Sequence, residues 1–308
     1  MSPEIRFKVK PRLTNEPFGS FCSLVRRPLV TDLLDGTSRL ILHLGYPTES
    51  FRAPLIYNPY FASFRLKMAV VPMGLKAEDF DAVFSGLFRL TNVHGALITM
   101  PHKIRVRDFL AEVSPNVEIA GSCNAVLRRP DGSLLGDMFD GEGFVRAMEE
   151  KGEAIAGRSV LILGAGGVGS AIAAAFAAHG VAMIRLHDSN PAMAIALAER
   201  IARHYPAIRI ETGGADAEGC DIIVNATPLG MSPGDPMPIM VESLPAGAFV
   251  GDVVMKGGKT AFLAAAKARG HKIQLGIDML YAQIPAYLAF FGLPVTDSAT
   301  LRRISGAT

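Results

Sequence analysis

Short apolar runs alternate with segments of helical periodicity along the chain from residue 40 onward. Runs such as residues 40–44 and 160–163 are apolar at nearly every position, which is typical of strands buried on both faces. Strands that alternate with helices predict a parallel sheet with helices on both faces. The predicted strands are 40–44, 68–71, 96–99, 120–128, 134–136, 160–163, 182–186, 209–211, 221–226, 249–254 and 271–275, and the predicted helices are 53–66, 77–90, 103–112, 141–151, 170–179, 192–204, 260–269 and 278–291.

A glycine-rich turn joins one predicted strand to the helix that follows it. Residues 160–169 read Val-Leu-Ile-Leu-Gly-Ala-Gly-Gly-Val-Gly, which places Gly164, Gly166 and Gly169 in a Gly-x-Gly-x-x-Gly motif. The first glycine allows the tight turn, the second lets the backbone approach a pyrophosphate, and the third lets the helix pack on the strand. Free N–H groups at the helix N-terminus attract the phosphates. The order of strand, turn and helix favours dinucleotide binding over a turn that binds no ligand.

An acidic residue closes the next predicted strand, about twenty residues beyond the glycines, where a dinucleotide fold places the residue that binds the adenosine ribose. This residue is Asp188. A carboxylate there accepts from the ribose 2′-hydroxyl and repels a 2′-phosphate, so the sequence predicts NAD rather than NADP. The alternative is an ordinary solvated loop aspartate.

Composition limits the class of protein. The chain has 308 residues, 49% of them hydrophobic and 19% charged, which favours two packed domains. A net charge of +2 predicts no electrostatic footprint for nucleic acid. The longest small apolar run, residues 171–178, is too short to cross a bilayer, and the N-terminus has no apolar signal region. We therefore expect a soluble cytoplasmic protein with no membrane partner.

The cysteines and histidines predict neither a disulfide framework nor a metal site. The chain has three cysteines, Cys22, Cys123 and Cys220, which lie far apart in the sequence. It contains no Cys-x-x-Cys and no His-Glu-x-x-His pattern. This usage fits a reducing compartment.

The order of the elements predicts two domains and an N-terminal extension. We expect an extension over residues 1–35, an α/β substrate-binding domain over 36–140, and a Rossmann-type dinucleotide-binding domain over 141–276. Residues 277–308 are expected to pack back on the first domain. Ligands of open parallel sheets bind at the carboxyl ends of the strands, so the active site is expected in the cleft between the domains.

Five short motifs lie in order between residues 99 and 283. Residues 99–103 read Thr-Met-Pro-His-Lys, 121–125 read Gly-Ser-Cys-Asn-Ala, 136–141 read Gly-Asp-Met-Phe-Asp-Gly, and 225–231 read Asn-Ala-Thr-Pro-Leu-Gly-Met. Each segment is similar to a motif of the shikimate/quinate dehydrogenases, which the chain resembles over residues 36–295, and Gly276-x-x-Met279-Leu280-x-x-Gln283 is similar to the closing motif of that family. The order and spacing of the motifs together are specific.

The resemblance implies a role for residues in each motif. Lys103 and Asp140 match the catalytic pair, and Thr99, Asn124 and Gln283 match positions that contact the substrate. A lysine in a cleft can exchange the hydroxyl proton while a hydride moves to or from the nicotinamide. The residues expected to bind the cofactor, from the glycine-rich turn and from the resemblance, are Gly164, Ala165, Gly166, Gly167, Val168, Gly169, Asp188, Asn225, Ala226, Thr227, Gly276 and Met279.

The sequence departs from the family pattern where the family holds the substrate carboxylate. Phe51 and Ala53 occupy two positions that are serines in the family, so this end of the pocket is expected to be apolar. Loss of two hydroxyl donors weakens carboxylate binding. Arg52 lies between the two positions and is a candidate for bidentate binding of a carboxylate.

The leading hypothesis is an NAD-dependent oxidoreductase that acts on a ring alcohol of the shikimate/quinate type, with a small-molecule substrate and a monomeric or homodimeric state. One alternative is an authentic shikimate dehydrogenase whose carboxylate contacts come from elsewhere, such as Ser50 or Arg52. A second is a non-catalytic dinucleotide-binding sensor. A methylenetetrahydrofolate dehydrogenase shares the two-domain plan, but residues 225–231 favour the shikimate side.

Overall fold

The computed structural model describes residues 34–49, 51–255 and 258–306, and within them the chain forms two six-stranded sheets. One sheet is built from residues 39–137 and the other from residues 159–274. Most of the predicted extension over residues 1–35, together with Cys22 and Ser50, lies outside the described residues. No helix of the described part is long and apolar enough to span a membrane.

The first sheet is mixed rather than parallel. Its elements are β1 (Arg39–Gly45), α1 (Ala53–Ser63), β2 (Met68–Gly74), α2 (Phe80–Leu87), β3 (Val93–Ile98), β4 (Glu112–Val113), α3 (Pro115–Ala120), β5 (Ala125–Arg128) and β6 (Leu134–Asp137). The strand order is β2-β1-β3-β5-β6-β4, and β5 runs antiparallel to both β3 and β6. The prediction of a parallel sheet is wrong for this half, because β5 and β6 are joined by a short turn that only antiparallel neighbours can share.

One predicted helix of this half is absent and another ends early, each for a local reason. Residues 103–112 form turns and a short 3-10 helix, Arg105–Phe109, instead of an α-helix. The carbonyl of Lys103 accepts a hydrogen bond from the N–H of Cys123 at 2.7 Å and is therefore committed to the neighbouring segment. The helix predicted over 53–66 ends at Ser63, since Arg65 has a positive φ of 52° that no α-helix accommodates.

The strand predicted over 120–128 is instead the end of a helix followed by a strand. Helix α3 is capped by Ser114, whose hydroxyl accepts from the N–H of Val117, and Pro115 stands at its first position. It ends at Gly121, where a φ of 68° favours glycine. Strand β5 begins only at Ala125.

The second sheet is fully parallel. Its strands are β7 (Ser159–Leu163), β8 (Met183–His187), β9 (Arg209–Thr212), β10 (Ile222–Asn225), β11 (Phe249–Asp252) and β12 (Ile273–Gln274). The helices of this half are α4 (Asp140–Glu149), α5 (Gly167–Ala178), α6 (Pro191–His204) and α7 (Ala261–Ala268). The order β12-β11-β10-β7-β8-β9 is that of dinucleotide-binding folds, which bind the ligand beyond the carboxyl ends of the central strands. The predicted doubly wound sheet is confirmed.

The last helices return to the first sheet. They are α8 (Asp278–Ala282), α9 (Ile284–Phe290) and α10 (Ser298–Ser305), so the single helix predicted over 278–291 is divided. Tyr287 of α9 and Leu301 of α10 are buried in one cluster with Ile41 of β1 and Tyr60 of α1. This burial ties the C-terminal helices to the N-terminal half, while the predicted domain boundaries stay predictions.

Candidate active site

A cavity of about 510 Å³ lies between the carboxyl ends of the two sheets. Strands β1 and β3 and the residue after β3 contribute His43, Leu97 and Thr99, and the loops after β11 and β12 contribute Met255 and Ile277. The predicted catalytic and substrate-binding residues all line it, namely Phe51, Arg52, Thr99, Lys103, Asn124, Asp140 and Gln283. The sequence therefore predicts the position of this site, while the roles of its residues stay predictions.

An ion pair lies in the cavity wall. Lys103 Nζ donates to Asp140 Oδ2 at 2.6 Å, and the two side chains are 25% and 16% exposed. Asn124 Nδ2 donates to the other carboxylate oxygen at 2.9 Å, while its own Oδ1 accepts from the N–H of Phe139 at 3.0 Å. Asp140 is the first residue of α4, where the helix dipole favours a negative charge. The carboxylate is thus held from both sides and fixes the position of the amine.

Helix α4 is held close to two neighbouring helices by glycines. A Cβ added at Gly141 would lie 1.9 Å from the backbone oxygen of Ala171 in α5. A Cβ at Gly143 would lie 2.6 Å from the backbone oxygen of Met279 in α8 and 2.7 Å from the Cβ of Gln283. The helix that begins with Asp140 therefore contacts both the helix of the glycine-rich turn and the segment that carries Gln283.

Gln283 is a polar side chain that the fold leaves unsatisfied. Its Oε1 is enclosed and has no hydrogen-bond partner among the described residues. Because this oxygen is enclosed, a ligand in the cavity can reach only the amide nitrogen of Gln283.

Thr99 and Phe51 both approach Gly45, the last residue of β1. A Cβ built at Gly45 would lie 2.3 Å from Thr99 Cγ2 and 3.0 Å from Phe51 Cζ. The glycine makes room for both side chains, which line the cavity next to each other. Arg52 precedes α1, is exposed, and has no ion-pair partner within residues 34–49, 51–255 and 258–306.

Three cavity residues with polar groups, His43, Tyr57 and Tyr287, were not predicted from the sequence. Each is more than 90% buried and lines the cavity. Burial, together with the Asp140 carboxylate, raises the pKa of Tyr287 well above its usual range, so its hydroxyl keeps its proton. In the sequence each residue occupies an ordinary apolar position of a strand or helix, and no motif marks it.

His43 makes folding stability depend on pH. Burial, and to a lesser extent the charge of Lys103, lowers its pKa from 6.5 to about 4. Below pH 6.5 the unfolded chain therefore binds a proton at this residue that the folded chain binds only near pH 4. The contribution of His43 to the free energy of unfolding is therefore complete above pH 6.5, the pKa in the unfolded chain, and is lost as the pH falls towards 4.

We expect His43→Leu to remove this loss. Between pH 7 and pH 4 the free energy of unfolding of the natural protein should fall by about 3 kcal/mol more than that of the variant. Urea unfolding of both proteins at the two pH values measures this difference, and other titrating groups cancel in the comparison. An equal pH dependence of the two proteins would contradict the burial of a neutral imidazole.

The glycine-rich turn forms a cradle at the carboxyl end of β7. A Cβ at Gly169 would lie 1.9 Å from the oxygen of Gly164, and Gly164 itself has a φ of 101° that favours glycine. Gly166 and Gly167 face open space, since an added Cβ there would meet nothing within 4 Å. The backbone N–H groups at the start of α5 are thus accessible to a pyrophosphate, which fits a dinucleotide.

Asp188 lies beside this cradle. Its Oδ2 accepts from the N–H of Ala165 at 2.7 Å, and its Oδ1 accepts from the N–H of Asn190 at 2.9 Å. The half-buried carboxylate therefore links the end of β8 to the glycine-rich turn. In dinucleotide-binding folds the adenosine ribose binds at this place.

Two of the residues predicted to bind the cofactor have side chains that are committed to the protein. Asn225 is fully buried, donates to the carbonyl of Leu229 and accepts from Thr227, so it shapes the loop after β10. Met279 is 4% exposed and packs in the core of the second half. A contact between either residue and a cofactor would have to come from the backbone.

Within the described chain, no group of three or more His, Cys, Asp or Glu residues is placed to hold a metal ion.

Comparison with known proteins agrees with this geometry. A family model, the substrate binding domain of shikimate dehydrogenase, matches residues 44–126. A shikimate dehydrogenase (NADP(+)) of Rubrobacter xylanophilus is 36% identical over 278 residues, which cover 89% of this chain and 98% of the relative.

Two solved structures superpose on most of this chain. The shikimate 5-dehydrogenase of Listeria monocytogenes, in complex with shikimate and NAD, superposes with a TM-score of 0.80 at 27% identity and covers 88% of this chain and 97% of its own. The ligand-free 5-ketofructose reductase of a Gluconobacter species superposes with a TM-score of 0.79 at 26% identity and covers 88% of this chain and 99% of its own.

Proposed function

Because the chain belongs to the shikimate dehydrogenase family, we propose that it transfers a hydride between a secondary alcohol of a shikimate- or quinate-like ring and the nicotinamide of NAD. It is an NAD(P)-dependent oxidoreductase of the alcohol type. The observation that carries the proposal is the 2.6 Å contact between Lys103 Nζ and Asp140 Oδ2 in the cavity beside the dinucleotide-binding sheet. An amine that is fixed by a carboxylate can donate a proton to a ketone oxygen, or accept one from a hydroxyl.

The described residues divide the reaction between them. When bound, the nicotinamide supplies or accepts the hydride. Lys103 delivers the proton to the substrate oxygen during reduction and removes it during oxidation, while Asp140 and Asn124 hold the amine in position. Thr99 and Gln283 are placed to bind further hydroxyls, because both line the same cavity. The buried side chains of Tyr57 and Tyr287 line the same cavity, where their rings would exclude water from the substrate.

Steady-state rates with shikimate and quinate, each with NAD and with NADP, test this proposal. We expect NADH to form with a ring alcohol, and kcat/KM to be higher with NAD than with NADP. A protein that binds NAD but oxidises no ring alcohol would contradict the proposal and favour the non-catalytic sensor.

The preference for NAD is proposed from Asp188. Its carboxylate stands beside the cradle, where it can accept from the ribose 2′-hydroxyl and repel a 2′-phosphate. The Listeria monocytogenes structure contains NAD, whereas the Rubrobacter xylanophilus relative is an NADP(+) enzyme, so the relatives differ at this point.

We expect Asp188→Asn to change the cofactor preference. The amide oxygen can still accept from the N–H of Ala165, but the negative charge is gone. The ratio of kcat/KM with NADP to kcat/KM with NAD should rise about tenfold, because removal of a close charge repulsion is worth about 1.4 kcal/mol. Asp131→Asn, in the exposed turn between β5 and β6, is the control and should leave the ratio unchanged. An unchanged ratio in Asp188→Asn would place the cofactor selectivity elsewhere.

A second candidate function is shikimate oxidation with NADP, as in the Rubrobacter xylanophilus relative. The exposed Arg52 favours it, since this guanidinium lines the cavity and can pair with a carboxylate. High turnover of shikimate with NADP, together with a large rise in KM for shikimate in Arg52→Ala, would establish this function in place of the first.

A further inference from the structure

One wall of the cavity combines a buried imidazole with apolar side chains. His43 on β1 stacks on Phe51, with ring centroids 4.0 Å apart and an interplanar angle of 27°. Leu97 is the partner of His43 in the register of β1 and β3, and Leu97 shares a buried cluster with Ile56 of α1. We call these four residues the β1 wall.

The two nitrogens of His43 have different surroundings. Nδ1 is enclosed and has no hydrogen-bond partner among the described residues. A buried N–H without an acceptor is rarer than a buried lone pair without a donor, so the proton of the neutral ring is placed on Nε2. Since the ring lines the cavity and Nδ1 is enclosed, Nε2–H is the group that the β1 wall can offer to a substrate.

The charges around the β1 wall do not favour an anion. Of the charged side chains that line the cavity in the described residues, Lys103 and Asp140 neutralise each other, and Arg52 lies at the exposed edge before α1. The imidazole is neutral at physiological pH because burial lowers its pKa to about 4. A carboxylate placed against this wall loses a strongly bound hydration shell that one neutral N–H donor does not replace, whereas a hydroxyl exchanges its water for that hydrogen bond at little cost.

We propose that His43 determines specificity by donating a hydrogen bond from Nε2–H to an uncharged substrate oxygen, so that the enzyme prefers a ring polyol with a neutral substituent at the β1 wall over one with a carboxylate there. This inference rests on the proposed function, since it concerns the substrate of the same site. The polar contact to the substrate would come from His43 on β1, a residue that no sequence motif marks.

A matched pair of substrates tests the inference. The pair is shikimate and the alcohol in which a CH₂OH group replaces its carboxylate, because the ring hydroxyls are the same in both. With the natural protein and NAD, kcat/KM should be at least about tenfold higher for the alcohol than for shikimate, about the effect of one net hydrogen bond and the avoided burial of a charge.

Variants of His43 separate a polar contact from a packing effect. His43→Leu should raise KM for the alcohol about tenfold with little change in kcat, and His43→Gln should restore most of the affinity, since its amide N–H reaches the place of Nε2. His94→Gln, a substitution of another buried histidine that does not line the cavity, is the control and should leave the preference between the two compounds unchanged. NAD affinity and thermal unfolding report whether each variant is folded.

Each result has a definite meaning. A natural enzyme that prefers shikimate, or a His43→Leu variant that loses the same factor with both compounds, overturns the inference while the proposed function stands. If neither compound is turned over with NAD or NADP, the proposed function fails and the inference fails with it. Should His43→Leu not fold, Phe51→Ser replaces it: a hydroxyl on the β1 wall should raise kcat/KM for shikimate about tenfold, and no gain overturns the inference.

Discussion

Replacement of Lys103 by alanine is expected to lower kcat about a thousandfold, because a positioned acid–base group contributes roughly two to four orders of magnitude to proton transfer. In the natural protein Nζ lies 2.6 Å from Asp140 Oδ2 and faces the cavity. Alanine removes the proposed proton donor and, among the described residues, leaves the carboxylate bound only to Asn124 Nδ2 at 2.9 Å. Steady-state rates with the best ring alcohol, alongside NAD affinity by calorimetry, measure the effect.

The pattern of the loss distinguishes chemistry from binding. Lys103 lies on the segment after β3, whereas the cradle belongs to β7 and α5, so NAD affinity should stay within about twofold of the natural value. Lys272→Ala removes an exposed lysine that pairs with Glu153 in the second half, and it is the matched control with unchanged kcat. A loss of less than tenfold in Lys103→Ala would show that another group handles the proton.

Gly169→Ala is expected to damage both the cradle and the fold. The new Cβ would lie 1.9 Å from the oxygen of Gly164 and 3.3 Å from the Cβ of Ala226, and a backbone oxygen cannot turn aside as a side chain can. The glycine-rich turn must therefore move. We expect the free energy of unfolding to fall by about 2 kcal/mol, as in overpacked cores, and the Kd for NAD to rise at least about tenfold.

A neighbouring glycine provides the comparison for stability. At Gly167 an added Cβ meets nothing within 4 Å, and the residue is the first of α5. Gly167→Ala should leave the unfolding free energy unchanged or slightly higher, because alanine favours the helix. Equal stabilities of the two variants in urea unfolding would argue against the close contact at Gly169.

The parallel sheet could be predicted because its signals are long and local. Strand β7 is a continuous apolar run, and the glycine-rich turn leads directly into α5. The mixed sheet was harder, because strands as short as β4 and β6 carry little periodicity. Helix α3 was missed even though Ser114, Pro115 and Gly121 are typical signals of a helix start and end, since six residues are too few to display a helical period.

The part of the site that could be predicted consists of residues that belong to linear motifs. Lys103, Asn124, Asp140 and Gln283 each belong to a short segment similar to the family pattern, and the structure brings all four to one cavity. His43 could not be found this way, because its position in a buried strand predicts only a core residue. Its proposed role depends on contacts that no linear motif records, such as the stacking of its ring on Phe51.

The close glycine contacts of α4 decide which parts of the cavity can accept substitutions in this enzyme. Backbone meets backbone where Gly141 approaches Ala171, so no larger residue can be accommodated there without shifting the carboxylate that follows Phe139. The opposite side of the cavity is made of side chains from β1 and α1, which can be exchanged one at a time. New substrate preferences can therefore arise through mutations that leave Lys103 and Asp140, the proposed proton-transfer pair, in place, which makes this scaffold a suitable starting point for engineering related oxidoreductases.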